Sequence, residues 1–120
     1  MKRLLFTALL GLAGCTDPSV LGNLQPDGEL VVVTRNGPTT YYIGADEPAG
    51  FEYELVRAFA ESQDMRLRVK VAFTLEEVFE TLQRGEAHIA AAGLTESSER
   101  NLLFESTQSY LEQHPVVVYK

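Results

Sequence analysis

Leu30-Val31-Val32-Val33-Thr34 constrains this 120-residue chain more than any other stretch. A strand with one wet face alternates apolar and polar residues. A run without alternation, rich in β-branched side chains, must be covered on both faces. The run therefore predicts a strand in the middle of a layered structure, and the sequence after it supplies the layers. Phe51, Leu55, Ala58 and Phe59 fall at i, i+4, i+7 and i+8, which predicts a helix with that face inward. Glu52 and Glu54 fall in its first turn, where the helix dipole favours acids. Leu67, Val69 and Val71 then alternate with Arg66, Arg68 and Lys70, which predicts a strand with one wet face near a sheet edge. Thr74-Leu75-Glu76-Glu77 is a capping box opening a second helix on Leu75, Val78, Phe79 and Leu82, and Gly85 stops it. Ala87-His88-Ile89-Ala90-Ala91-Ala92 reads as a third strand, its small side chains letting helices pack close. Val116 to Tyr119, after Pro115, reads as a last strand. Strand, helix, strand, helix, strand is the order of an α/β fold with a parallel sheet.

Asn36-Gly37-Pro38 ends the first strand. Residues 39–48 read as a loop or ragged hairpin carrying Tyr41 and Tyr42, which either pack beneath the loop or wall a ligand. After the third strand the pattern breaks at Gly93, and hydroxyls appear at Thr95, Ser97 and Ser98 with a cation at Arg100. Backbone N–H groups and hydroxyls can donate to a carboxylate, and an Arg can hold it with both arms. Taken by spacing alone, the same stretch also reads as a Ser-rich loop leading into a short helix, with Arg100 solvated. Topology favours a site. In open parallel sheets ligands sit beyond the carboxyl ends of the strands, and here those ends are residues 34–36, Phe73 and residues 93–95.

Other chemistries lack their residues. His88 and His114 are far apart and without cysteine neighbours, so no metal set is expected. No phosphate-binding glycine pattern and no Gly-x-Ser-x-Gly is present, so the sequence implies no cofactor and shows no catalytic residue. Arg66, Arg68 and Lys70 read as a solvated face rather than a polyanion site. Net charge is −7; without residues 1–14 the remainder holds 8 bases against 17 acids, net −9. That balance argues against nucleic acid as a partner of the folded part. Lys2-Arg3 followed by apolar Leu4 to Leu12 reads as a signal peptide over residues 1–14. Leu12-Ala13-Gly14-Cys15 resembles the bacterial lipobox, which implies lipidation of Cys15, the only cysteine, and attachment to a membrane; Thr16 after it favours the outer membrane. Residues 15–28 carry turn formers without periodicity and read as a tether, leaving 29–120 as the folded region.

Gly93-Leu94-Thr95-Glu96-Ser97-Ser98-Glu99-Arg100, then Phe104-Glu105-Ser106 and Tyr110, resembles the signature of the family 3 extracellular solute-binding proteins. Gly50-Phe51-Glu52-Tyr53-Glu54-Leu55 resembles a second block of that family. Ser97, Ser98 and Gln108-Ser109 depart from its usual Thr, Pro and Pro. Residues 33–42 narrow the resemblance to the N-terminal, non-catalytic domain of membrane-bound lytic murein transglycosylases. The resemblance implies a periplasmic-binding-protein-like (type II) fold, of which 29–120 is the first lobe, with the second lobe missing. It implies a periplasmic domain that closes on an amino acid or peptidoglycan-derived ligand between two lobes. Arg100 would hold the ligand carboxylate, Thr95 and Ser97 would donate to it, and the backbone at Gly93 would approach it closely. Tyr41 or Tyr42 and Phe73 would form an apolar wall. Two roles fit: the regulatory part of an enzyme acting on peptidoglycan, or an amino-acid-binding lipoprotein of an ABC transporter.

Overall fold

The continuous apolar run forms the central strand. In the computed structural model, which describes residues 28–112, 114 and 116–120, the elements follow in the order β1 (Glu29–Arg35), β2 (Tyr42–Ile43), β3 (Pro48–Ala49), α1 (Phe51–Ser62), β4 (Arg66–Ala72), α2 (Leu75–Gln83) and β5 (Ile89–Ala90), then a 3₁₀ turn at Arg100–Leu102. The leader, Cys15 and nearly all of the tether lie outside the described residues. The main sheet has the order β4-β1-β5. Both pairings are parallel, β1 to β4 from Glu29↔Arg66 to Arg35↔Ala72 and β1 to β5 at Val32↔Ile89 and Val33↔Ala90.

Each face of β1 has its own helix. Leu30 and Val32 pack with Val56 and Ala60 of α1, while Val31 and Val33 pack with Val78 of α2 and with Ala72, Ala87 and Ala92. All four β1 side chains from Leu30 to Val33 are 1% exposed. At about 1.5–3 kcal/mol for each buried aliphatic side chain, this strand is the largest apolar contribution in the fold. β4 is an edge strand, as its alternation predicts. Its bases are engaged at the surface, Arg68 with Glu29 and Lys70 with Glu86, both at 3.2 Å. The capping box forms with one change of partner. The Glu77 N–H donates to Thr74 Oγ1 at 3.1 Å, but the Glu77 carboxylate accepts from the N–H of Phe73, one residue outside the cap. Gly85 ends α2 with φ 65°.

Three expectations need correction. The face of α1 turned inward is Glu52, Val56 and Ala60, while Phe51, Leu55 and Phe59 are about half exposed. Two apolar stripes lie side by side on this helix. The one carrying small Ala60 seats against the sheet, and Glu52 joins it because its carboxylate finds partners inside. The third strand is shorter than residues 87–92, with Ile89–Ala90 as its ladder. At its start the Val31 N–H donates to the His88 ring (Nδ1, 2.9 Å) rather than to a backbone carbonyl. Val116 to Tyr119 form no strand. Their side chains are exposed, and none of the described residues pairs with them.

Candidate functional site

The order β4-β1-β5 sends the chain from the end of β1 to one side and returns it to the other. The crevice outside the carboxyl ends of β1 and β5 is where such a sheet leaves room for a ligand. The loop after β1 and the loop after β5 meet there. In the first loop, Thr40 is buried and its hydroxyl donates to the Arg35 carbonyl at 2.6 Å. β2 and β3 pair as a short antiparallel ribbon, the expected ragged hairpin. Gly50 then turns the chain into α1 with φ 134°, and a Cβ there would lie 2.4 Å from the Thr40 carbonyl oxygen. Only glycine fits that approach. The first-turn N–H groups of α1 are taken by this loop, Glu52 donating to Thr39 O and Tyr53 to Thr40 O, both at 3.0 Å.

In the second loop Gly93 has φ 66°, and its N–H donates to Glu52 Oε2 at 2.9 Å. Glu52 is 5% exposed. Its other oxygen, Oε1, accepts from the Tyr110 hydroxyl. Burial, then the hydrogen bond to Glu52 and the charge of its carboxylate, push the Tyr110 phenol well above the ordinary tyrosine range. Arg100 begins the 3₁₀ turn. Its N–H donates to Ser97 Oγ at 3.3 Å, and its guanidinium donates to the Thr95 carbonyl at 2.8 Å. The guanidinium also lies 5.1 Å from the centroid of the Phe79 ring. Phe79 stacks on Phe104 at 5.4 Å, and Phe51 meets Tyr110 at 5.8 Å. These residues enclose a cleft of about 290 Å³ lined by Glu52, residues 89–96, Arg100 and residues 104–111.

The structure brings Gly93, Thr95 and Arg100 together on this cleft. Ser97 stands behind it, with its hydroxyl oxygen accepting from the Arg100 N–H. Tyr41 packs edge-on to Tyr53 at 5.5 Å and is not among the residues lining this cleft. Tyr42 sits in β2 opposite Ala49, and Phe73 is 91% exposed at the end of β4; neither lines the cleft. Sequence reasoning missed Glu52, Phe51, Phe79, Phe104 and Tyr110 as cleft residues. The signal was present for four of them, because Phe51, Glu52, Phe104 and Tyr110 lie in the two motif blocks. What was missing was the pairing of those blocks in space. Among the described residues no carboxylate pairs with Arg100, and no group of His, Cys, Asp or Glu is arranged to hold a metal. The cleft therefore offers an unpaired guanidinium, a buried carboxylate and aromatic faces, an inventory for holding a small charged solute.

Comparison with known proteins agrees with this layout. The bacterial extracellular solute-binding proteins, family 3, match residues 30–120. A protein of Hahella chejuensis named membrane-bound lytic murein transglycosylase F is 39% identical over 114 residues, covering 93% of this chain and 22% of that protein. One of the same name from Pseudomonas fluorescens is 39% identical over 122 residues, covering 99% of this chain and 25% of that protein. The chain thus spans a quarter or less of the length of these relatives. The L-cystine solute receptor of Neisseria gonorrhoeae, solved in its unliganded open conformation, superposes with a TM-score of 0.60 at 23% identity, over 70% of this chain and 36% of the receptor.

Proposed function

The chain belongs to the bacterial extracellular solute-binding proteins of family 3, and on that premise we propose that its cleft binds a small solute bearing a carboxylate, an amino acid or a peptidoglycan-derived peptide. The observation that carries this reading is the Arg100 guanidinium. It lines the cleft, is held in place by the Thr95 carbonyl and the Phe79 ring, and has no carboxylate of the described residues to neutralise it. An oriented guanidinium with free donors matches a carboxylate in charge and in geometry. Glu52 and Glu105 on the same cleft give the ammonium of a zwitterion a favourable potential.

On this reading residues 29–120 serve as the first lobe of a two-lobed periplasmic domain that closes on its ligand. The domain acts as the non-catalytic sensing part of an enzyme working on peptidoglycan, because relatives so named match almost the whole chain at 39% identity. A lipid on Cys15 would tether it to the outer membrane. Calorimetry with matched ligands tests the carboxylate. Free amino acids and short muropeptides should bind, and the same compounds amidated at the carboxylate should bind at least tenfold more weakly. Equal affinity for acid and amide would contradict the assignment.

A further inference from the structure

Glu52 has a place in the fold that its position in a helix does not require. An acid in the first turn of α1 serves the helix dipole equally well from the surface, as exposed Glu54 does. Glu52 instead points inward, and burying a carboxylate is costly unless its oxygens are satisfied. Both are. Oε2 accepts from the Gly93 N–H at 2.9 Å, and Oε1 accepts from the Tyr110 hydroxyl. The two donors come from different segments of the chain. Gly93 opens the loop that carries Thr95 and Arg100. Tyr110 belongs to residues 104–111, which also line the cleft.

We propose that Glu52 is a positioning residue that joins these two segments lining the cleft, fixing the Gly93 loop with one oxygen and latching the 104–111 segment with the other. The start of the segment is held by the Phe79–Phe104 stack at 5.4 Å, by the Phe104 N–H donating to the Arg100 carbonyl at 2.9 Å and by the Ser106 hydroxyl donating to Asn101 Oδ1 at 3.1 Å; farther on, its other tie to α1 is the Phe51–Tyr110 ring contact at 5.8 Å. Residues 105–111 have no regular structure and are exposed, so the Tyr110 bond decides whether the segment stays against α1. The two bonds are coupled through one rigid group. Loss of the phenol leaves the carboxylate with an open oxygen and free rotation, which loosens its hold on Gly93. A ligand that orders the Gly93 loop favours the latched segment by the same coupling, since linkage of this kind is reciprocal. The inference builds on the proposed binding site but is tested without any ligand.

The test is amide hydrogen exchange by NMR on the full chain and three variants, read at Gly93 and at His88. The His88 N–H donates to the Val31 carbonyl at 2.8 Å within the sheet and reports opening of the core. Glu52→Ala should speed exchange at Gly93 by roughly tenfold to a hundredfold, the loss expected for a hydrogen bond to a charged group. Glu52→Gln keeps an acceptor for Gly93 and should speed it severalfold less than Glu52→Ala. Tyr110→Phe, which removes only the phenol oxygen, should speed Gly93 severalfold, while His88 stays within twofold of wild type. The proposal is overturned if Tyr110→Phe leaves Gly93 unchanged, or if Gly93 and His88 accelerate by the same factor. Should Glu52→Ala fail to fold, Glu52→Gln and Tyr110→Phe decide the matter alone. A chain that binds no solute yet shows the coupling would sink the binding assignment and leave the latch standing.

Discussion

Arg100 and Glu52 show how differently two charged residues can be read from sequence. Arg100 drew notice because it stands after a glycine and a row of hydroxyls at a strand end, a pattern that by spacing alone also fits a Ser-rich loop with a solvated cation; topology and the motif blocks favoured a site. Glu52 drew none, because an acid at a helix start already has an explanation in the helix dipole, and the competing role depends on residues 41 and 58 positions away along the chain. Tyr110 is the spectroscopic handle on this pair. Its phenol, at the inner end of a side chain that is otherwise about half exposed, is raised first by burial and then by the Glu52 carboxylate, the one charged group facing it among the described residues; the Phe51 ring lies 5.8 Å from its own. The folded state therefore favours the protonated phenol. The bond's contribution to stability is fully present below about pH 10, where the unfolded tyrosine is still protonated. It fades as pH rises from there through the folded value. An alkaline absorbance titration should show the most basic tyrosine step of the wild type missing in Tyr110→Phe and moved to lower pH in Glu52→Ala.

Among the elements, β1, β4 and helix α2 follow from local pattern alone. β1 is a continuous apolar run between two layers, β4 alternates at an edge, and α2 begins at its capping box and ends at Gly85. Where the sequence misled, two solutions were locally equal. α1 carries adjacent apolar stripes, and only packing against β1 selects Val56 and Ala60 over Leu55 and Phe59. Val116 to Tyr119 have every propensity for a strand but pair with none of the described residues, and propensity does not form a strand without a partner. The turn into α1 is the most exacting local feature. Gly50→Ala must place a Cβ 2.4 Å from the Thr40 carbonyl oxygen at a φ of 134°. Strain and displacement together should cost about 2–4 kcal/mol, a fall in Tm of roughly 8 °C or more for a domain of this size. Thermal melts of the two proteins check it; an unchanged Tm would show that the β1 loop is not seated against α1 as described.

At the scale of the molecule, the three-stranded sheet supplies a scaffold and its carboxyl-end crevice supplies the site. Phe51, Leu55 and Phe59 on α1 and residues 116–119 leave apolar surface open on this chain. Attachment is proposed at the other end of the sequence, where mass spectrometry of the membrane fraction should find an acylated Cys15 as the N-terminal residue. A mature protein cut elsewhere and recovered in the soluble fraction would rule that out. The central claim is that Arg100 makes this crevice a carboxylate site, and calorimetric titration of one binding amino acid or muropeptide against four proteins tests it most directly. Arg100→Ala should weaken binding roughly tenfold to several hundredfold, the range for losing a charged hydrogen bond of about 1.5–3 kcal/mol. Arg100→Lys should recover only part of the loss, because an ammonium cannot reproduce the planar fork. Arg66→Ala, on the wet face of β4, should bind as wild type does. Wild-type affinity in Arg100→Ala, or equal damage from Arg66→Ala, would contradict the account.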